Sequence, residues 1–132
     1  MKLSSKARYG LKAMCELAVK YDEIVSISQI AESTKTSEAY LEQLMAILKK
    51  ADLIVSVRGA GGGYKLAKSP YDISVGEILR ALEDDLKFVD CISGDCENKC
   101  KCYTVWQKLY DTINNSLDNM KLIEICDGGE NE

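Results

Sequence analysis

Histidine is absent from the 132-residue chain. With it go Ser-His and Cys-His catalysis, the commonest general base, and every zinc site that needs an imidazole. Long apolar runs are absent too: nothing approaches the roughly 18 consecutive apolar residues of a membrane span. The segment Met1 to Gly10 carries Lys2, Lys6 and Arg8 with no apolar run behind them, so an unexported, cytoplasmic protein with no membrane partner is expected. Aromatic residues are few, at 7%, and there is no internal repeat and no low-complexity tract beyond one glycine cluster. What is present, 46% hydrophobic and 29% charged residues, suits one globular domain and argues against disorder.

The net charge of -4 hides an asymmetry. Residues 1–68 hold 11 Lys or Arg against 7 Asp or Glu, a net +4, whereas residues 69–132 hold 6 against 14, a net -8. A basic front half suits contact with a polyanion, and the acidic back half must do something else.

Hydrophobic spacing divides the chain into helices and one hairpin. Ser4 or Ser5 caps a first helix bearing Ala7, Leu11, Met14, Ala18 and Val19, with Cys15 on the same face as a small core residue. Ser26 and Gln29 read as a capping box for a short second helix with Ile27, Ile30 and Ala31. After the polar turn Thr34 to Ser37, a third helix carries the stripe Leu41, Leu44, Met45 and Leu48 and leaves Glu38, Tyr40, Glu42, Gln43 and Ala46 largely off it. Two helices joined by a short polar turn form a helix-turn-helix.

Leu53 to Val57 reads as a strand, the glycine-rich stretch Gly59 to Gly63 as a hairpin tip, and Tyr64-Lys65-Leu66 as the return strand. Such a hairpin behind a helix-turn-helix is a wing. Its glycines match neither nucleotide template, because no Gly-Lys-Ser/Thr follows and the loop feeds a strand rather than a helix. Gly61, Gly62 and Gly63 instead permit close approach to a surface, and Arg58 beside them can enter a minor groove or bind phosphate. On the third helix Gln43 can pair with adenine and Glu42 can accept from cytosine, while Ser37 and Tyr40 suit phosphate contacts.

Ser74 and Glu77 cap a further helix with Val75, Ile78, Leu79 and Leu82. Trp106, Leu109, Ile113 and Leu117 then form a stripe on a long helix ending near Asp118 or Asn119, which favours pairing with a second copy of the chain. The expected fold is mainly α with a small β-hairpin. Residues 1–83 make a winged helix-turn-helix domain, 84–102 a cysteine-bearing loop, 103–126 a dimerisation helix and C-terminal segment, and 127–132 a frayed tail.

Several stretches together resemble one family: Ser5-Lys6-Ala7-Arg8-Tyr9-Gly10-Leu11, Ser37 through Tyr40-Leu41-Glu42-Gln43-Leu44, Val57-Arg58-Gly59-Ala60-Gly61-Gly62-Gly63-Tyr64, and Val75-Gly76-Glu77-Ile78. They look like the IscR/NsrR/CymR family of bacterial winged-helix transcription regulators, over roughly residues 1 to 126 and closest to the iron-sulfur-sensing members. The resemblance implies a homodimer on a double-stranded DNA operator, and no enzyme. Tyr40, Glu42 and Gln43 would read the major groove, Arg58 would reach the minor groove, and the Trp106 to Leu117 stripe would join two copies.

Cys91, Cys96, Cys100 and Cys102 place four thiols within 12 residues, a donor set for a soft metal centre. Family members that sense iron-sulfur status carry three cysteines in this loop, some with a histidine just after the third. This chain departs from that pattern: Cys100 matches the third position by spacing from Trp106, Cys102 by local sequence, and no histidine exists. An iron-sulfur cluster, [2Fe-2S] ahead of [4Fe-4S], is the expected cofactor. A four-thiolate zinc site, a Cys100 to Cys102 disulfide, a cluster-free regulator answering to a protein partner, and a small electron-transfer or metal-carrier protein stand beside it. Cys15 and Cys126 are expected to be silent, with no second ligand near either.

Overall fold

The computed structural model describes residues 3–83 and 101–128. Helix α1, Ser5–Val19, starts where the Ser4 hydroxyl accepts the Ala7 N–H. Its buried line is Ala7, Gly10, Ala13, Met14, Leu17 and Ala18. Val19, expected on that line, is 65% exposed, because two residues beyond Leu17 is about 200° around the helix, on the face away from the core.

Helices α2, Ile27–Thr34, and α3, Glu38–Lys50, form the helix-turn-helix. The Ser26–Gln29 box is present in full: the Gln29 N–H donates to Ser26 Oγ at 3.2 Å, and the Ser26 N–H donates to Gln29 Oε1 at 3.0 Å. Lys35 closes α2 at φ +58°, and the Thr36 N–H reaches back to the Ala31 carbonyl at 3.1 Å, which turns the chain into α3. Leu41, Leu44, Met45 and Leu48 are all buried. At roughly 1.5–3 kcal/mol for each large apolar side chain removed from water, that stripe is the strongest single hold on α3.

Strands β1, Ile54–Val57, and β2, Gly63–Leu66, pair antiparallel with Ile54 opposite Leu66 and Val57 opposite Gly63. The hairpin is docked as well as paired. Val25, in the connection between α1 and α2, exchanges two backbone hydrogen bonds with Tyr64, each 2.9 Å long. Wing and helix-turn-helix therefore move as one unit.

Helix α4, Val75–Leu82, begins at the expected Ser74–Glu77 box and buries Val75, Ile78, Leu79 and Leu82. Burial opposes ionisation of Glu77, yet hydrogen bonds from Ser74 and Lys68 hold its carboxyl below the usual range. Helix α5, Tyr103–Asn119, ends where the stripe predicts, and packs on α4. Helix α6, Leu122–Gly128, was not expected. Its Leu122 is fully buried and its N–H donates to the Ile73 carbonyl at 2.8 Å, while a seven-residue helix is too short to show a period. The tail's first two residues, 127 and 128, thus belong to α6, and 129–132 lie outside the described residues.

Gly63 joins the wing to its support. A Cβ there would sit 2.2 Å from the Val25 carbonyl oxygen, which is backbone and cannot step aside. Gly63→Ala should destabilise the protein by about 1–3 kcal/mol in urea titration, the usual range for overfilling a tight contact. Ala60→Gly, at the exposed tip, should leave stability within about 0.5 kcal/mol.

Candidate nucleic-acid interface

With its apolar stripe committed to the core, α3 turns Glu38, Ala39, Glu42, Gln43, Ala46, Lys49 and Lys50 to solvent. Beside this face stands the wing. An open cleft of about 410 Å³ runs between them, lined by Glu42 and Lys49 from α3, by Arg58, Gly59 and Gly62 from the tip, and by Ser26 at the start of α2. Glu42 and Arg58 thus meet in one place although 16 positions separate them. Gln43 lies next to this lining on the exposed face.

The tip owes its shape to glycine. Gly59 and Gly61 sit at φ +96° and +78°, where a side chain is strained, and the Gly62 N–H closes the turn on the Gly59 carbonyl at 2.9 Å. At Gly62 a Cβ would meet the Val57 carbonyl oxygen at 2.3 Å. Gly62 and Gly63 therefore have packing reasons of their own, whereas Gly61 faces open space and is free to approach a ligand.

Two of the expected contact residues have structural partners. Ser37 Oγ accepts the Tyr40 N–H at 3.1 Å as the N-cap of α3. The Tyr40 hydroxyl is 2.9 Å from Ser5 Oγ, and its ring meets Tyr9 edge-on at 6.2 Å between centroids. These contacts bring the first turns of α1 to the start of α3, and with them come cations. Lys12 Nζ lies 4.9 Å from the Tyr9 ring centre and the Arg8 guanidinium 5.8 Å from it. In the sequence Arg8 stands out only as a cation of the N-terminal segment and of a family-like string, and Lys12 was not singled out. Lys49 was likewise missed, and the one available sign was the excess of cations in residues 1–68.

Of the four loop thiols, Cys91, Cys96 and Cys100 lie outside the described residues. Cys102 is exposed and unbonded to another cysteine at the N-cap of α5, where its carbonyl accepts the Val105 and Trp106 N–H groups. Among the described residues no three metal-ligating side chains converge. Cys15 and Cys126, expected to have no second ligand nearby, are neighbours: the Cys126 thiol lies 3.7 Å from the Cys15 carbonyl oxygen, joining α6 to α1. Burial, and then the adjacent Cys126, push the Cys15 thiol up to about 12, so it stays protonated and is a poor metal ligand.

Helix α5 has no buried residue in the single chain. Val105 and Leu109 are 50% and 45% exposed, and Trp106 and Ile113 are half-buried. Leu117 is partly buried and packs against the cluster of Ala7, Val75 and Leu79.

Comparison with known proteins agrees with this architecture. The model of the Rrf2 family, described as an iron-dependent transcriptional regulator, matches residues 3–128. The HTH-type transcriptional regulator IscR of Vibrio vulnificus is 37% identical over 134 aligned positions, covering 98% of this chain and 80% of that one. Among solved structures, CymR, the global cysteine regulator of B. subtilis, superposes with a TM-score of 0.85 at 36% identity, covering 96% of this chain and 97% of that one. IscR of T. potens gives 0.77 at 42%, covering 98% and 88%. These relatives are transcription regulators and not enzymes, and the chain belongs to the Rrf2 family of transcriptional regulators.

Proposed function

We propose that the protein is a homodimeric, cytoplasmic repressor that grips two-fold symmetric duplex DNA with α3 and the wing, and whose grip depends on an iron-sulfur cluster in residues 84–102. The observation that carries the DNA reading is the cleft that brings Glu42 and Lys49 of α3 together with Arg58 of the wing, a helix face and a cation suited to adjacent grooves of a duplex. In this reading Gln43 and Glu42 meet base edges, Arg58 and Gly61 the minor groove, and Ser37, Tyr40, Gly62 and Gly63 hold those groups in place. Arg8, Lys12 and Lys49 supply phosphate contacts around them. Two copies pair through Val105, Trp106, Leu109 and Ile113, because a long amphipathic helix with no buried residue calls for a partner surface.

The cofactor reading rests on donor chemistry. Thiolates suit iron, Cys102 is exposed and not disulfide-bonded, and the two other described cysteines are withdrawn into the core. Cys91, Cys96, Cys100 and Cys102 would hold the cluster, [2Fe-2S] in preference to [4Fe-4S]. When bound, it supplies a state that responds to iron and oxidants. A cluster-free regulator controlled by a protein partner is the second reading. It is favoured by this chain's departure from the loop pattern of the cluster-sensing members, with no histidine after the third cysteine position.

Three outcomes test the proposal. Arg58→Ala should lower DNA affinity and flatten its salt dependence, whereas Gln43→Ala should relax preference at one base position per half-site by about 1–3 kcal/mol, both read by fluorescence anisotropy on duplexes selected by the wild type. Equal weakening of every sequence by Gln43→Ala would remove α3 as the reader.

Leu109→Asp, on the exposed part of α5, should give a folded monomer by sedimentation with DNA binding largely lost. A variant that stays dimeric would place the interface elsewhere.

Protein purified without oxygen should be coloured and contain iron and sulfide, and Cys91→Ala or Cys96→Ala should abolish both. Retention of the centre in either the Cys100 or the Cys102 variant would identify that thiol as the spare one. Colourless wild-type protein that still binds DNA would favour the second reading, or zinc if that metal is stoichiometric.

A further inference from the structure

The C-terminal end of α5 is welded to α4. Arg80 Nη1 donates to Asp118 Oδ1 at 2.6 Å and Nη2 to Asn114 Oδ1 at 2.8 Å. Asn114 is itself oriented, donating from Nδ2 to the Tyr110 carbonyl at 2.8 Å. Below the guanidinium lies Gly76, where an added Cβ would meet Asp118 Oδ1 at 2.6 Å and the Leu117 carbonyl carbon at 3.3 Å. The absent side chain lets α5 seat directly on α4. Backbone contacts finish the joint: the Val75 N–H donates to the Met120 carbonyl at 2.8 Å, and Ser74 bridges to Lys121.

This set of contacts fits orientation better than stability. The Arg80 and Asp118 side chains are 40% and 52% exposed, and exposed ion pairs contribute little to folding. Arg80 nonetheless grips two residues one helical turn apart, so it fixes both the rotation of α5 about its axis and its sliding along α4. With 17 residues, α5 is a lever of about 25 Å. A swing of about 10° at its foot moves the far end by about 4 Å, close to the rise of one DNA base pair.

We infer that Arg80 is a positioning residue: by locking the winged-helix unit to α5, it sets the distance and helical phase between the two α3 helices of a dimer, and so the half-site spacing the protein accepts. The inference rests on the α5-paired dimer proposed above. No other residue on α4 grips α5 through a charged side chain among the described contacts.

The experiment uses the full chain and duplexes selected from a random pool by the wild type. Their two half-sites are then moved apart or together by one base pair. The wild-type dimer should lose at least about tenfold in affinity on either shifted duplex, and Arg80→Ala should lose less than about threefold while remaining a folded dimer. Reversing the pair, Arg80→Asp with Asp118→Arg, should restore most of the discrimination. Gly76→Ala wedges the joint without removing a charge, and should change which spacing is preferred.

An Arg80→Ala dimer with the wild-type ratio between duplexes would overturn the inference and leave the dimer reading standing. So would a uniform loss on all duplexes, which marks Arg80 as a simple phosphate contact. A monomeric wild type would overturn both, whereas a dimeric wild type indifferent to spacing would overturn the inference alone.

Discussion

One face of α3 must be buried for the other to be useful. Leu41, Leu44, Met45 and Leu48 sink into the core shared with Met14 and Leu17 of α1, Ile30 of α2 and Ile78 of α4. Once that stripe is seated, the helix has no freedom to roll, and Glu42, Gln43 and Ala46 face outward by geometry alone. The cap at Ser37 sets where the helix starts, and Tyr40 anchors that start to Ser5 and Tyr9 of α1. The wing then depends on the same core, because its second strand is held by Val25, a buried residue of the α1–α2 connection.

The opposite end of the molecule follows a different logic. Near its C-terminal end helix α5 is held to the core by Leu117, Gly76 and the Arg80 contacts, although none of its own residues is fully buried. Further toward its N-terminus the same helix exposes Val105 and Leu109. In the proposed dimer this face would meet a second copy, and Cys102 stands at the start of the same helix. Whatever happens at the loop thiols is therefore applied to the N-terminus of the helix that would join two DNA-binding units.

The cysteines divide by environment. Cys15 and Cys126 lie together between α1 and α6, and desolvation keeps Cys15 protonated. Cys102 is exposed. Thiolate chemistry needs deprotonation and access, so the core pair serves packing and, among the described cysteines, Cys102 is the accessible one.

Much of this was legible in the sequence because it is local. The capping boxes at Ser26–Gln29 and Ser74–Glu77, the stripe of α3 and the glycine tip each depend on residues within a few positions of one another, and each formed where the spacing placed it. The family resemblance was legible for the same reason, being carried by short contiguous strings. What the tertiary structure alone decided is non-local. The Cys15–Cys126 contact spans 111 positions and the Arg80 grip on Asp118 spans 38. Helix α6 exists because Leu122 finds Ile73, and the packing of Leu117 against Val75 and Leu79 was likewise invisible to the spacing. Periodicity reports that a face is apolar. Only the packed chain determines whether that face meets its own core or stays open to a partner, since the choice depends on which distant residues arrive first at the same place.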